Sequence, residues 1–288
     1  MIEVVYVCNQ KYELELFASI RSLILSGTSF TGITIFCVGK VPNYWKFIDT
    51  RIKVIQVNSK RPDFFLINKS YALSVHTETL VYLDSDTLVL LPIDRIISGC
   101  DLDFIGRPDS ILSDRAEKTM VWRTLLNKHG RNEVPYFNSG FFIFQNGSHL
   151  GLEKTWEEIT ESLLADDYSA NNLHGTGSDT KALSRHYNEQ IGLSLALANR
   201  DLTYAKMSKT DHAYGWKNEP HSNRIVYHTG SPHYIRLSDS LQLEYNLFGK
   251  NQPVFTQRMN PLFTKRIKRY GSCLYRKFKQ DLIRTLNQ

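Results

Sequence analysis

Two aspartates, Asp84 and Asp86, stand one residue apart directly after an apolar run at residues 80–83. A short apolar run bounded by polar residues is typical of a buried strand, so both carboxylates are expected where that strand meets solvent. Such a pair is costly, because like charges repel each other and burial removes their hydration. A divalent cation removes the cost, and hard oxygen ligands suit Mn²⁺ or Mg²⁺ beside substrate phosphates. The segment LVYLDSDTLVL therefore predicts a metal site; a plain polar turn between two strands is the alternative.

Three further groups of polar residues could act beside such an ion. Asn138 and Ser139 precede the strand-like run 141–144 and could bind sugar hydroxyls, although taken alone they are better explained as a simple turn before a strand. His228 closes another strand-like run and could complete the ion's coordination, or it could be an ordinary strand-end histidine. Glu189 opens an apolar helical stretch, where it could stabilise the helix dipole or face the ligand.

The elements that must position these groups alternate through the first half of the chain. Strand-like runs at residues 4–7, 33–38, 54–57 and 80–84 are separated by helix-like stretches at 13–26 and 69–76, and Gly27 is a plausible helix stop. This rhythm predicts an α/β fold with a mainly parallel central sheet flanked by helices. Ligands of such sheets bind outside the carboxyl ends of the strands. Asn9 and Asp84, each at the end of a strand, are therefore expected to face one crevice.

The second half is less regular, with strands expected near 103–106, 141–144 and 224–228. Helices are expected at 114–128, 152–164 and 188–198, and a turn-rich loop is expected at 171–178. We interpret residues 1–260 as one domain and 261–288 as a basic tail. From residue 264 the tail combines apolar residues near helical spacing with many Lys and Arg and a single acid, Asp281. It is expected either to lie on an anionic membrane or to pack as a terminal helix.

Composition bounds the protein class. The chain has 288 residues, 42% of them hydrophobic, which is enough for a large core. The net charge of +6 favours anionic partners such as nucleotides but is too small to indicate nucleic acid. The scattered cysteines form no CxxC pair, and Cys8 and Cys37 are expected to be buried thiols. A reducing compartment fits them, so we expect the protein in the cytoplasm, either unattached or at the cytoplasmic face of a membrane. The first residues, MIEVVYVCN, indicate a core strand and not a signal peptide. No apolar stretch of the sequence is long enough to span a membrane.

VYLDSDTLVLLPID and YFNSGFFIFQ resemble the metal-dependent glycosyltransferases of the GT-A fold, most closely family 8, which includes glycogenin and lipopolysaccharide galactosyl- and glucosyltransferases. The resemblance covers residues 2–235. It implies that a hexose is transferred from a UDP-sugar to a glycan or lipid-linked saccharide, with retention of the anomeric configuration. It also implies metal binding by Asp84, Asp86 and His228. The resemblance also implies that Glu189 and Gln190 lie beside the anomeric carbon of the donor. The residues that it implies bind the nucleotide or the sugar are Asn9, Tyr12, Lys69, Asp84, Asn138 and Ser139.

Two departures from the family pattern affect the expected site. Glu189 stands where Asp is usual, which leaves Asp179 as a competing candidate for the same catalytic role. The lysine that usually follows the histidine motif is missing, so His233 or Arg236 would have to bind the leaving phosphate.

Two other functions fit parts of the sequence. DSDTL resembles the nucleophile motif of haloacid-dehalogenase-type phosphatases, in which Asp84 would be phosphorylated, with Asp166 and Asp167 as a later acidic pair. That motif normally lies on the first strand of its domain, whereas here about 80 residues precede it. An inactive nucleotide-sugar binding module is the third alternative.

Overall fold

The computed structural model describes residues 1–39, 49–108, 127, 130, 135–165, 188–217, 219–220 and 222–229. The described strands are β1 Ile2–Asn9, β2 Gly32–Val38, β3 Ile52–Val57, β4 Thr79–Leu83, β5 Thr87–Val89, β6 Phe104–Pro108, β7 Phe137–Phe144, β8 Tyr204–Lys206, β9 His212–Tyr214 and β10 Val226–His228. The described helices are α1 Glu13–Leu25, α2 Asp94–Ile97, α3 Leu152–Ala165 and α4 Asn188–Asn199. Three 3₁₀ segments, Gln10–Tyr12, Phe65–Ser74 and Gly215–Lys217, accompany them.

Seven strands form the central sheet in the order β3-β2-β1-β4-β7-β6-β8. The first four neighbours are parallel, β7 is antiparallel to both β4 and β6, and β8 is parallel to β6. The expected α/β fold, with a mainly parallel sheet flanked by helices, is thus confirmed. Because β1 and β4 are parallel neighbours, Asn9, the last residue of β1, and Asp84, which directly follows β4, lie at the same edge of the sheet.

The alternation of side chains along β4 explains how this sheet is buried on both faces. Leu80 and Tyr82 belong to a core cluster that includes Trp156 of α3 and Ile191 of α4. The intervening residues of β4, Val81 and Leu83, belong to a second cluster that includes residues of α1, β5 and β10. A strand with apolar side chains on both faces reads as a continuous apolar run, which is what the sequence shows before Asp84.

A small second sheet has the strand order β5-β10-β9. β10 is antiparallel to β5, with His228 opposite Thr87, and parallel to β9, with Val226 opposite His212. Thr87 directly follows Asp86, so this pairing brings a residue from late in the chain beside the aspartate pair.

Several expected boundaries shift in the structure. Residues 137–140, expected as a turn before a strand, lie within β7, and the helix expected at 69–76 is instead the 3₁₀ segment Phe65–Ser74. The helix expected at 13–26 is confirmed as α1, and Gly27 follows its end with φ of +79°. The stretches 114–126, 166–187 and 230–288, and with them Asp166 and Asp167, lie outside the described residues.

Two further expectations concern the thiols and membrane spans. Cys8 and Cys37 are buried, as predicted, with their Sγ atoms 3.9 Å apart on neighbouring strands. Within the described part of the chain, no helix combines the length and apolarity needed to cross a membrane.

Candidate metal centre

The turn from Asp84 to Thr87 is closed by one threonine. The Thr87 backbone N–H donates to the Asp84 carbonyl oxygen at 3.2 Å, and the Thr87 hydroxyl donates to the same oxygen at 2.7 Å. On the other side, the Asp84 backbone N–H donates to the Gly140 carbonyl oxygen of β7 at 2.7 Å. These bonds fix the backbone at both ends of the turn, so the position of the Asp84 and Asp86 side chains is set by the sheet.

A second threonine ties the aspartate turn to His228. The backbone N–H and the hydroxyl of Thr229 donate to the Asp86 carbonyl oxygen at 2.9 and 2.8 Å. The His228 Nε2 lies 3.1 Å from Asp86 Oδ1. Each aspartate carbonyl is therefore held by both donors of one threonine, and the second threonine directly follows the histidine.

Ligand atoms of Asp84, Asp86 and His228 all lie within 4.8 Å of one another. The side chains of both aspartates are 19% exposed, so an ion from solvent can reach them. Two carboxylates with one imidazole form a donor set that suits a hard or borderline divalent cation such as Mn²⁺. The residues present thus fit a divalent metal.

Lys69 supplies a buried positive charge directly beside this group. Its ammonium donates to Asp84 Oδ2 at 2.9 Å and to the Ser139 hydroxyl at 3.1 Å, and it lies 3.5 Å from Glu189 Oε1. Burial alone would lower the pKa of Lys69, but Asp84 and Glu189 outweigh it and raise the pKa. The Tyr82 hydroxyl donates to the other carboxylate oxygen of Asp84 at 2.7 Å. Lys69 is therefore a permanent cation that joins Asp84 to Glu189.

Glu189 is almost completely buried, at 1% exposure, in the first turn of α4. Its carboxylate oxygens have no hydrogen-bond partner among the described residues, and the ammonium of Lys69 lies at ion-pair distance. Burial raises the pKa of Glu189 to about 7, although Lys69 and Ser139 act in the opposite direction. A carboxyl group with such a pKa exists in both protonation states near neutral pH and suits acid–base or electrostatic roles.

The contacts of Asn138 and Gly140 in β7 explain why these residue types occur there. The Asn138 side-chain oxygen accepts from the Gly140 backbone N–H at 2.9 Å. A Cβ added to Gly140 would lie 2.1 Å from Cε1 of the His228 ring and 2.6 Å from its Nδ1. Only glycine therefore leaves room for the ring, and the close approach expected at this position is to His228.

Of the remaining residues predicted for the site, the structure describes Asn9, Tyr12 and Gln190. Asn9 uses its side-chain oxygen to accept from the Lys11 backbone N–H at 2.9 Å, which starts the 3₁₀ segment Gln10–Tyr12. Burial and the charge of Asp86 raise the pKa of Tyr12. Gln190 is buried, and its Oε1 has no hydrogen-bond partner among the described residues. Asp179 and His233 lie outside the described residues.

The sequence reasoning missed four residues of this site: Tyr82, Thr87, Thr229 and His212. The first three adjoin a recognised motif, which is the only signal that could have identified them. His212 lies in β9, and its ring stacks on the ring of His228, with centroids 5.5 Å apart and planes 9° apart. Burial, followed by the neighbouring His228 and Arg107, lowers the pKa of His212 well below its usual range. Nothing in its sequence context indicates a role.

Comparison with known proteins supports the fold. No family model matches the chain, and no curated protein matches it. Among solved structures, the galactosyltransferase LgtC in complex with donor and acceptor sugar analogs aligns with a TM-score of 0.55 at 12% identity, over 87% of this chain and 98% of that one. The glycosyltransferase GlyE of Streptococcus pneumoniae aligns with a TM-score of 0.53 at 13% identity, over 85% of this chain and 63% of that one. The bifunctional glycosyltransferase WbbM aligns with a TM-score of 0.53 at 12% identity, over 86% of this chain and 51% of that one. The predicted GT-A fold is therefore confirmed.

Proposed function

We propose that this chain is a metal-dependent glycosyltransferase, of the family 8 type, that transfers a hexose from a UDP-sugar to a glycan or lipid-linked saccharide with retention of the anomeric configuration. One observation carries the proposal. Asp84, Asp86 and His228 bring two carboxylates and an imidazole together at the carboxyl edge of a GT-A sheet. Ligands of open α/β sheets bind at this edge. LgtC, WbbM and GlyE, whose structures resemble this one, are themselves glycosyltransferases, which agrees with this function.

The three ligands would hold Mn²⁺, or Mg²⁺, against the diphosphate of the donor. When bound, such an ion neutralises the leaving diphosphate and orients it. Asn9 and Tyr12 would bind the base, because Tyr12 offers a half-buried aromatic face beside the aspartate pair. In the same scheme His233 would contact the leaving phosphate.

The buried groups beyond the aspartate pair would surround the sugar. Glu189 and Gln190 lie together in the first turn of α4, and Lys69 links Glu189 to Asp84. A negative charge fixed at Glu189 would stabilise positive charge that develops at the anomeric carbon. Asn138 would donate its amide N–H groups to sugar hydroxyls, because its oxygen already accepts from Gly140. Asp179 is the competing candidate for the role of Glu189.

The test is turnover of a panel of UDP-sugars with Mn²⁺, measured as released UDP, for the wild-type chain and for Asp86→Asn. This substitution keeps the shape of the side chain and removes its charge. We expect the wild type to turn over at least one donor and Asp86→Asn to lose more than about 100-fold, because even residues that only support a metal ligand cost 10–100-fold. Asp94→Asn is the matched control: Asp94 accepts from the Ser29 backbone N–H and takes no part in the ligand group.

Two results would contradict the proposal. The first is Mn²⁺-dependent turnover in Asp86→Asn equal to that of the Asp94→Asn control. The second is hydrolysis of p-nitrophenyl phosphate with Mg²⁺ and no turnover of any UDP-sugar, which would favour the phosphatase alternative with Asp84 as the nucleophile. Binding of UDP and Mn²⁺ without turnover of any donor would favour an inactive binding module.

The basic tail gives a separate proposal about location. We propose that residues 264–288 hold the protein at an anionic, cytoplasmic membrane surface, because they combine many Lys and Arg with apolar residues near helical spacing. Removal of residues 264–288 is expected to abolish co-sedimentation with phosphatidylserine vesicles at low salt. Equal binding by the full-length and shortened chains would contradict this second proposal and leave the first unchanged.

A further inference from the structure

The ring of His228 is held in a narrow slot. The backbone of Gly140 lies so close that an added Cβ would come within 2.1 Å of the ring. The ring of His212 is stacked nearly parallel to the ring of His228, with planes 9° apart. The two strands that carry the histidines are parallel, with His212 opposite Val226 and His228 opposite Tyr214. The rings are therefore diagonal neighbours on one face of the small sheet.

His212 is itself held rigidly. Its ring is fully buried and makes edge-to-face contacts with the rings of Phe141, at 5.3 Å, and Tyr214, at 4.8 Å. Its backbone carbonyl accepts from the buried guanidinium of Arg107. Arg107 in turn makes two hydrogen bonds to the Glu219 carboxylate, at 2.7 and 2.8 Å. The wall of the slot is thus a packed aromatic group fastened to the central sheet through β6.

The imidazole of His212 has no hydrogen-bonding task in the described part of the chain. Neither ring nitrogen has a hydrogen-bond partner among the described residues, and leaving a buried polar group unpaired is unfavourable. The contacts that the ring does make are aromatic, and one of them is with a candidate metal ligand. Groups that hydrogen-bond to a ligating imidazole fix its orientation, and their loss costs about 10–100-fold in metal affinity. A stacked ring restricts the same rotation by packing.

We propose that His212 is a positioning residue of the metal site: together with Gly140 it fixes the plane of the His228 ring, so that Nε2 stays beside Asp86. This inference rests on the proposed metal site. Without the stacked ring, the imidazole of His228 would sample other rotamers, and each binding event would have to restore the ligand geometry. The role requires a flat ring at position 212 and does not require its nitrogens.

The test is the affinity of the full-length chain for Mn²⁺ alone, measured by electron paramagnetic resonance of the free ion. His212→Leu fills much of the space without a flat face, and His212→Phe keeps a flat ring without nitrogens. We expect His212→Leu to bind Mn²⁺ about 10–100-fold more weakly than the wild type, and His212→Phe to stay within about 3-fold of it. Thermal unfolding of each variant shows whether it is folded.

His149→Leu is the matched control. His149 is as completely buried as His212 and packs near an aromatic ring, that of Phe144, at 5.9 Å. Its Nε2 lies 2.7 Å from the Val75 carbonyl oxygen. Phe144 is paired with Leu80, at the opposite end of β4 from Asp84. A general effect of replacing a buried histidine would therefore appear in the control as well, whereas we expect its Mn²⁺ affinity to match the wild type.

Two outcomes would overturn the inference. One is wild-type Mn²⁺ affinity in folded His212→Leu. The other is equal weakening in His212→Phe and His212→Leu, which would mean that a flat ring is not the property that matters. Failure of the proposed function has a different signature: wild-type protein that does not bind Mn²⁺, or that binds it as well after Asp86→Asn, would remove the metal site itself.

Discussion

The raised pKa of Glu189 makes a quantitative prediction about stability and pH. A glutamate that titrates at 4.5 in the unfolded chain and at about 7 in the folded protein binds its proton more tightly when folded. Its contribution to stability is therefore fully present below pH 4.5 and is lost as pH rises through 7. At 1.36 kcal/mol for each pH unit between the two values, the loss is about 3 kcal/mol. Because the carboxyl group is almost entirely buried, solvent screening reduces this value little.

The assay compares urea unfolding of the wild type and Glu189→Gln at several pH values between 4.5 and 8. The difference in free energy of unfolding isolates Glu189, because the titration of groups that are not coupled to it cancels. Lys69 stays charged throughout this range, so the loss of its partner in the variant adds an offset that hardly changes with pH. We expect the stability of the wild type relative to the variant to fall by about 3 kcal/mol from pH 4.5 to pH 8.

A relative stability that stays constant within about 0.5 kcal/mol over this range would refute the reasoning, since the additivity of independent sites holds to that precision. It would mean that the carboxyl group of Glu189 reaches water or has a stronger partner than Lys69. The same substitution at Glu153, whose side chain is 28% exposed and pairs with Lys60, is the control and should show a much smaller dependence on pH.

Three further predictions test the surroundings of the aspartate pair. Gly140→Ala should weaken Mn²⁺ binding at least about 10-fold by displacing His228. Gly106→Ala is the control: its added Cβ would clash with the ring of Phe104, so it should destabilise the sheet and leave Mn²⁺ affinity unchanged. Thr229→Val should cost about 1 kcal/mol in urea unfolding through the lost hydroxyl bond to the Asp86 carbonyl, and it should weaken Mn²⁺ binding. Thr31→Val loses a similar bond to the Ile2 carbonyl and is the control, with a similar loss of stability and unchanged Mn²⁺ affinity expected. Lys69→Met should destabilise by about 3–5 kcal/mol in urea unfolding, more at pH 8 than at pH 5, because Glu189 is then charged and unpaired; equal loss at both pH values would contradict the assigned pairing.

The position of the aspartate pair at the end of a buried strand could be predicted because its signal is local. The apolar residues of β4 are followed directly by two carboxylates, and both faces of that strand are buried, so the run needs no alternation to be recognised. The parallel arrangement of the first four strands could likewise be predicted, since α1 and the 3₁₀ segment Phe65–Ser74 separate strands with clear apolar patterns. Each of these inferences depends on residues that lie close together in the chain.

The first half of β7 could not be predicted for the opposite reason. Asn138, Ser139 and Gly140 are residue types that strands disfavour, so propensity indicates a turn. All eight residues of β7 are nevertheless buried. The second half of β7 pairs with both β4 and β6, while in the first half Phe137 pairs with Pro108 of β6 and the Gly140 carbonyl oxygen accepts from the Asp84 backbone N–H. Tertiary pairing therefore overrides local propensity here. His212 was missed because its role comes from a partner on another strand, and no spacing within the sequence encodes that contact.

The charges of the site explain why these particular residues occur together. Above pH 7 the buried cluster holds three carboxylates, on Asp84, Asp86 and Glu189, and one ammonium, on Lys69, which pairs with two of them. Two negative charges are then in excess, and a divalent cation between Asp84 and Asp86 would balance them. A monovalent cation would leave one charge uncompensated in a largely buried site, which is unfavourable. Lys69 alone cannot balance all three carboxylates, because its single ammonium is shared among Asp84, Ser139 and Glu189. A preference for a divalent ion is thus expected from the number of charges, and it would require the carboxylate at position 189 as much as the aspartate pair.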